Sequence, residues 1–184
     1  MTYFVTGATG FIGRYLVQSL LQRGKGTIYV LVRPKSVGKL DELREFWGKE
    51  SVKRVVPIKG DLGSPKLGVS PADVRKLKGK VKHFFHLGAV YDIEASAETM
   101  KKANIVGTQG ALDLAAAVNA GCFHLVSSIA AAGLYRGTFT EDMFEEAEGL
   151  DHPYHSTKHD SEGMVRANGR MPYRIYRPGA VVGH

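Results

Sequence analysis

The chain has 184 residues, 43% of them hydrophobic, with one cysteine, Cys122; this suffices for one buried core and one domain, excludes a disulfide framework and fits a reducing compartment. No apolar run approaches the ~20 residues of a membrane span, and TYFVT at 2–6 already reads as a strand leading into a glycine motif, leaving no room for a signal peptide and making a soluble, cytoplasmic protein the expectation. The formal charge of +7 is scattered over Arg33, Lys35, Lys39 and Arg44, then Lys76, Lys78, Lys80 and Lys82, then Arg166, Arg170, Arg174 and Arg177, with no aromatic ladder between them, so solvated faces and an anionic small molecule are expected rather than nucleic acid.

The first strand, 3-YFVT-6, runs into 6-TGATGFIG-13. Glycines at 7, 10 and 13 at a first strand-to-helix crossing let the backbone turn tightly and approach a pyrophosphate, whose charge rests on the helix N-terminus. Gly7, Thr9, Gly10, Phe11, Ile12 and Gly13 are therefore candidate cofactor-binding positions. A helix follows over 13–24, with Leu16, Leu20 and Leu21 on one side and Gly24 as its stop. The second strand, 27-TIYVLV-32, ends at Arg33, and 33 − 13 = 20 is the spacing at which the residue reading the adenosine ribose is expected. A carboxylate there would accept from the 2′-hydroxyl of NAD; an arginine offers a planar fork to a 2′-phosphate, so NADP (NADPH) is the expected cofactor.

Further strands are expected at 55–60, 83–88, 123–128 and 173–178, and helices at 97–121, stopped by Gly121, and at 153–167. Apolar strands alternating with helices predict an α/β fold, a Rossmann-type doubly wound parallel sheet in the order 3-2-1-4-5-6 with helices on both faces. The aperiodic stretch 133–153 reads as a long functional loop. It offers Leu134, Tyr135, Phe139, Met143, Phe144 and Leu150 either to a flexible apolar ligand or to pinning the loop on the sheet, while Glu141, Asp142, Glu145, Glu146 and Glu148 should face solvent. Beyond it, 151-DHPYHSTKHD-160 overlaps two helical i, i+4 pairs, His155/His159 with metal-ligand spacing and Tyr154/Lys158 with the spacing of an activated phenol. The stretch alone leaves that choice open.

Seven pieces in order, TGATGFIG, 60-GDL-62, 86-HLGAVYD-92, 104-NIVGT-108, 126-VSSIAAAG-133, 154-YHSTK-158 and 176-YRPGAVVG-183, resemble the extended short-chain dehydrogenase/reductase family over the whole chain. Gly88 departs mildly from the alanine of many members and should bring backbone nearer the cofactor. The resemblance implies that Asp61 and Leu62 contact adenine and that Leu87, Gly88 and Ala89 line the cofactor. It further implies that Asn104 braces the active-site helix and that Pro178 and Gly179 approach the nicotinamide. Ser128, Tyr154 and Lys158 would form the catalytic set and, with Tyr154 and Lys158 also touching the cofactor, settle the choice between the two helical pairs. An ammonium one helical turn from a phenol favours phenolate, so Tyr154 would donate to a carbonyl oxygen that Ser128 also bonds. His155 and His159 then lie ~100° round the helix, His152 precedes Pro153, no acidic residue completes a zinc spacing, and no metal is expected. His86 is expected to be a packed histidine.

Within the family, 88-GAVYD-92, 127-SSIAAAGLYRG-137 and 141-EDMFEEAEGLDHPYHSTKHDSE-162 are most similar to bacterial fatty acyl-CoA reductases. That likeness implies NADPH-dependent reduction of a long-chain acyl thioester to the aldehyde, and on to alcohol in some members. Another extended reductase, a sugar-nucleotide epimerase or dehydratase, or a non-catalytic NADP-sensing module are the alternatives. Residues 1–184 correspond to the NADP-binding core, and since members of the family continue past 179-GAVVGH-184, a further C-terminal segment shaping the substrate pocket is expected.

Overall fold

The computed structural model describes residues 1–89 and 96–182. Val90, Tyr91 and Asp92 of the HLGAVYD motif and the final Gly183 of the last motif lie outside the described residues. Six strands, β1 (Tyr3–Thr6), β2 (Ile28–Val32), β3 (Val55–Lys59), β4 (His83–His86), β5 (Cys122–Val126) and β6 (Tyr173–Tyr176), form one sheet. Its order is β3-β2-β1-β4-β5-β6 and every pairing is parallel, as the alternation of apolar strands and helices predicts. Helices α1 (Phe11–Arg23), α2 (Gly38–Trp47), α3 (Glu50–Arg54), α4 (Pro71–Leu77), α5 (Ala97–Lys101), α6 (Gly107–Ala117) and α7 (Pro153–Arg166) connect the strands.

Because side chains alternate across a strand, each face has its own core. On one face Phe4, Phe84 and Phe123 of β1, β4 and β5 stack in a row, at 4.7 and 5.5 Å between centroids. They belong to one buried cluster with Leu114, Ala115 and Val118 at the end of α6. All three rings are fully buried, and truncating any of them to alanine carries a typical core cost of about 3–5 kcal/mol. On the other face Val5 and Val30 share a cluster with Val17, Leu20 and Leu21 of α1 and with Trp47 of α2.

Helices α2 and α4 fall in stretches where the sequence shows little periodicity. Each buries few residues, Leu40 and Trp47 in α2 and Leu77 alone in α4, so no apolar stripe announces them. Gly24 caps α1 as expected, but Gly121 does not stop α6. The left-handed residue there is Asn119 (φ 53°). Gly121 instead leads into β5, where a Cβ would stand 2.8 Å from the Lys82 carbonyl oxygen. A π-helical turn over Lys102–Val106 fuses α5 to α6 and carries Asn104.

Candidate functional site

The glycine turn sits where the strand order reverses, between β1 and β4, the place where open α/β sheets receive ligands. Gly13 is obligatory, since a Cβ on it would stand 2.0 Å from the Gly7 carbonyl oxygen, while one on Gly7 would meet the Leu87–Gly88 peptide at 2.8 Å. Thr9, Gly10, Phe11 and Ile12 are exposed along this turn. Gly10 caps α1 with no side-chain hydrogen bond to the first-turn amides, which suits a pyrophosphate there. Thr6, fully buried, ties the turn to β4, because its Oγ1 accepts from the Leu87 and Gly88 amides at 3.2 and 3.0 Å.

Arg33 is exposed at the end of β2, at the start of a 3-10 turn over Pro34–Ser36. Asp61, also exposed, accepts from the Gly63 amide at 2.8 Å. Leu62 lies against Gly88, where a Cβ would meet both Leu62 methyls at 2.8 Å. The missing side chain of Gly88 therefore makes room for Leu62. Leu87 is half-buried and Ala89 exposed beside it.

Along the same edge Ser128, two residues past the end of β5, opens a 3-10 turn over Ile129–Ala132. The Ser128 Oγ accepts from the Ala130 amide at 3.1 Å, so its own proton stays available for another acceptor. Helix α7 starts at Pro153, with the His152 Nδ1 accepting from the Tyr154 amide at 3.2 Å. Tyr154 and Lys158 are both buried, with the Lys158 Nζ 6.0 Å from the Tyr154 ring centroid. Burial pulls the Lys158 ammonium down to about 8. Asn104 donates from Nδ2 to the Thr157 Oγ1 at 3.1 Å, joining the π-helical turn to α7. Pro178 accepts from the Ile129 amide at 3.1 Å, and Gly179 lies beside the Ile129 side chain.

A cavity of about 10 Å³ lies between His86, Asn104, Lys158 and Ser161. The His86 Nδ1 is 2.8 Å from the Thr6 Oγ1 and its Nε2 is 3.3 Å from the Thr108 Oγ1. Burial, helped by the Lys158 charge, pushes His86 down to about 3, so it is a neutral, packed imidazole at working pH. Its partners Thr6 and Thr108 were not singled out in the sequence, and only a strand-end threonine directly before the glycine turn hints at them.

The other residues the sequence missed surround Glu162, which is fully buried one turn beyond Lys158. Burial raises its carboxyl, but hydrogen bonds and charge from Arg177 and Arg166 outweigh this and hold it below the ordinary range. The same arginines reach the loop at 133–152. Phe139 lies under the Arg177 guanidinium and Phe144 under that of Arg166, each at 4.9 Å. Phe144 also stacks on His159 at 4.1 Å, and the Met143 Sδ accepts from the Thr140 amide. Between the two uses open to the loop's apolar residues, Phe139, Met143 and Phe144 pin it, whereas Leu134 stays 66% exposed. The five acidic residues of the loop are exposed, as expected.

His159 places its Nδ1 3.0 Å from the Ala131 carbonyl oxygen, so it and His152 hold the helix and its surroundings together. Among the described residues one nitrogen–sulfur trio converges, His83, Cys122 and His124, with ligand atoms within 4.8 Å of one another. It lies towards the N-terminal ends of β4 and β5, away from the strand ends that carry the glycine turn and Ser128. There the His83 Nδ1 and His124 Nε2 face each other at 2.9 Å, and the His124 Nδ1 is 3.0 Å from the Tyr176 hydroxyl. Burial lowers His124 to about 4, with His83 and Arg174 adding positive charge beside it.

Comparison with known proteins adds a family. The NAD-binding family described as "Male sterility protein" matches residues 5–184. The chain is 34% identical to a linear gramicidin synthase of Brevibacillus parabrevis, covering 97% of this chain and 4% of that protein. It is 30% identical to the putative fatty acyl-CoA reductase CG8306 of Drosophila melanogaster, covering 97% of this chain and 43% of the relative. The terminal R domain from the myxalamid PKS-NRPS biosynthetic pathway superposes with a TM-score of 0.88 at 32% identity, over 100% of this chain and 49% of that one. The chain thus spans less than half the length of each. No helix among the described residues is long and apolar enough to cross a membrane.

Proposed function

Because the chain belongs to the Male sterility family of extended short-chain dehydrogenases/reductases, we propose that it is the NADPH-binding core of a reductase that converts a long-chain fatty acyl-CoA thioester to the aldehyde. The observation that carries the reading is the buried Tyr154–Lys158 pair on α7, whose helix also holds Asn104 through Thr157. The glycine cradle and uncapped α1 terminus support dinucleotide binding, and Arg33 supports the phosphorylated form. NADPH, when bound, supplies the hydride.

The side chains handle the oxygen and the proton. At pH 7 a group titrating at about 8 is protonated by about ten to one, so Lys158 is an ammonium beside the Tyr154 phenol. Ser128, with its lone pair engaged by the Ala130 amide, donates its proton towards the substrate oxygen. In the first half-reaction that oxygen takes the proton of Tyr154 as the carbonyl is reduced to a hemithioacetal. In the second, the Tyr154 phenolate takes the hydroxyl proton back while the carbon–sulfur bond breaks, releasing aldehyde and thiolate. Neutral His86 leaves the Lys158 charge without a competing cation at its back.

The long-chain acyl-CoA assignment rests on the motif likeness to fatty acyl-CoA reductases. A second reading, a thioester presented on a carrier protein instead of CoA, is favoured by the similarity to the linear gramicidin synthase and to the myxalamid R domain. The test is turnover of the full-length protein with palmitoyl-CoA, a carrier-bound acyl thioester and a UDP-sugar, each with NADPH and NADH. Oxidation of NADPH by the acyl-CoA alone supports the first reading, preference for the carrier supports the second, and turnover only of the UDP-sugar overturns both.

A further inference from the structure

The Glu162 carboxylate gathers three parts of the chain that the proposed reaction needs held together. Ser127, next to Ser128, donates from its hydroxyl to Oε2 at 3.1 Å. Arg166, one turn further along α7, donates from Nε to Oε1 at 3.0 Å. Arg177, next to Pro178, donates from Nε to both oxygens at 3.2 and 3.1 Å, and from Nη2 to Oε1 as well. Arg177 then reaches past the carboxylate to the loop, donating to the Thr140 and Met143 carbonyl oxygens at 3.0 and 2.7 Å, while Arg166 donates to the Glu141 carbonyl oxygen at 3.3 Å.

Burying a carboxylate is costly, and a buried pair is often no more stabilising than an apolar one, so stability alone is a poor account of this hub. Geometry gives a better one. The three segments that meet at Glu162 carry Ser128, the Tyr154–Lys158 pair and the Pro178–Gly179 turn, and no two of them are adjacent in sequence. The fourth contact is the loop, whose own ends leave from the Ser128 turn and return at α7. We propose that Glu162 is a positioning residue, whose carboxylate fixes the distance between Ser128 and Tyr154 and, through Arg177, seats the loop at 139–144 against the site.

This inference rests on the reading of Ser128 and Tyr154 as catalytic, and the test separates the two. In the purified protein, Glu162→Gln keeps the shape and two hydrogen-bonding positions but removes the charge that holds both arginines. The expected result is faster amide hydrogen exchange in peptides covering 138–146 and a fall in kcat with palmitoyl-CoA of about tenfold to a hundredfold, the range for misplacement of reacting groups by about 1 Å. NADPH affinity should stay within about twofold, because the glycine cradle and Arg33, which would hold the phosphates, lie at the ends of β1 and β2 away from Glu162. Tyr154, Lys158, Pro178 and Gly179 would add only the nicotinamide end. Where Glu162→Gln does not fold, Arg177→Lys decides, since a point charge satisfies the carboxylate but cannot also reach two carbonyls; the same changes are expected. An unchanged kcat, or kcat and NADPH affinity falling together, overturns the proposal. Loss of the catalytic reading instead shows as a Tyr154→Phe variant that turns over normally, and the exchange result is independent of that.

Discussion

Lys158→Met should stabilise this protein at neutral pH while abolishing turnover. The Lys158 ammonium is buried, and burial is what brings it from 10.5 to about 8. A pKa that is lower in the folded state than in the unfolded chain means that folding disfavours the charged form. The difference of 10.5 − 8 = 2.5 corresponds to about 3 kcal/mol at ~1.36 kcal/mol each. Below pH 8 both states are protonated and the folded state carries this whole cost. Between 8 and 10.5 the folded lysine is neutral while the unfolded one still binds its proton, so the stability of the parent rises with pH over that window. Above 10.5 the cost is gone. Methionine keeps the length and apolar stem of the side chain, so it has no such window.

The assay is urea unfolding of parent and variant at several pH values, taking the difference so that other titrating groups cancel. At pH 7 the variant should be more stable by up to about 3 kcal/mol, or ~2–4 °C in Tm for each kcal/mol in a chain of this size. That gap should shrink steadily from pH 8 and close by pH 10.5. A variant less stable than the parent at pH 7, or a gap indifferent to pH, would refute the reasoning and mean that the ammonium is fully compensated where it lies. Such a site, destabilised by the group it needs, is the usual signature of a functional lysine.

Arg33→Ala should weaken NADPH binding by about 1.5–3 kcal/mol, the range for hydrogen bonds to charged groups, and leave NADH nearly untouched; equal affinities for the two in the parent, by titration calorimetry, defeat the assignment. Tyr154→Phe should keep NADPH binding and lose turnover, because it removes only the proton donor. His159→Ala should lower stability by about 1 kcal/mol, through loss of one hydrogen bond and its stacking on Phe144, without abolishing turnover, and a chelator should leave turnover unchanged; loss of activity on metal removal contradicts this. Gly13→Ala should abolish dinucleotide binding or folding, since its Cβ has no space beside the Gly7 carbonyl, and a soluble variant that binds NADPH normally argues against the cradle.

Much of the fold was legible because it rests on local patterns. The six strands are short β-branched or aromatic runs, and a glycine triad between strand and helix has few other uses. Helices α2 and α4 were not legible because their buried residues are too few to make a stripe, and the helix stop at Asn119 was hidden by a more conspicuous Gly121 two residues on. The family resemblance led to Tyr154, Lys158 and Asn104, whose partners lie within a turn or on a helix whose contact the motifs imply. Thr6, Thr108, Glu162 and Arg177 escaped it because each acquires its role from a partner 15 or more residues away, which no local pattern records.

The loop shows where this limit bears on substrate. In sequence, Phe139, Met143 and Phe144 offered themselves equally to an acyl chain or to the protein. The structure turns them inward, two under guanidinium groups that also serve Glu162 and one through its sulfur. Among the described residues that follow Ser128 in the chain, Ile129, at 60%, and Leu134, at 66%, are exposed. An alkyl chain passing over these two side chains would gain ~0.8 kcal/mol for each methylene buried, and the gain would end where their surface ends. Dependence on chain length in the full-length protein should therefore be weakened by Ile129→Ser and Leu134→Ser, and left intact by Phe139→Leu, measured as kcat/KM over a series of saturated acyl-CoA thioesters. If Phe139→Leu flattens the series and the serine variants do not, the loop aromatics contact the chain after all, and their seat on Arg177 and Arg166 must open when substrate binds.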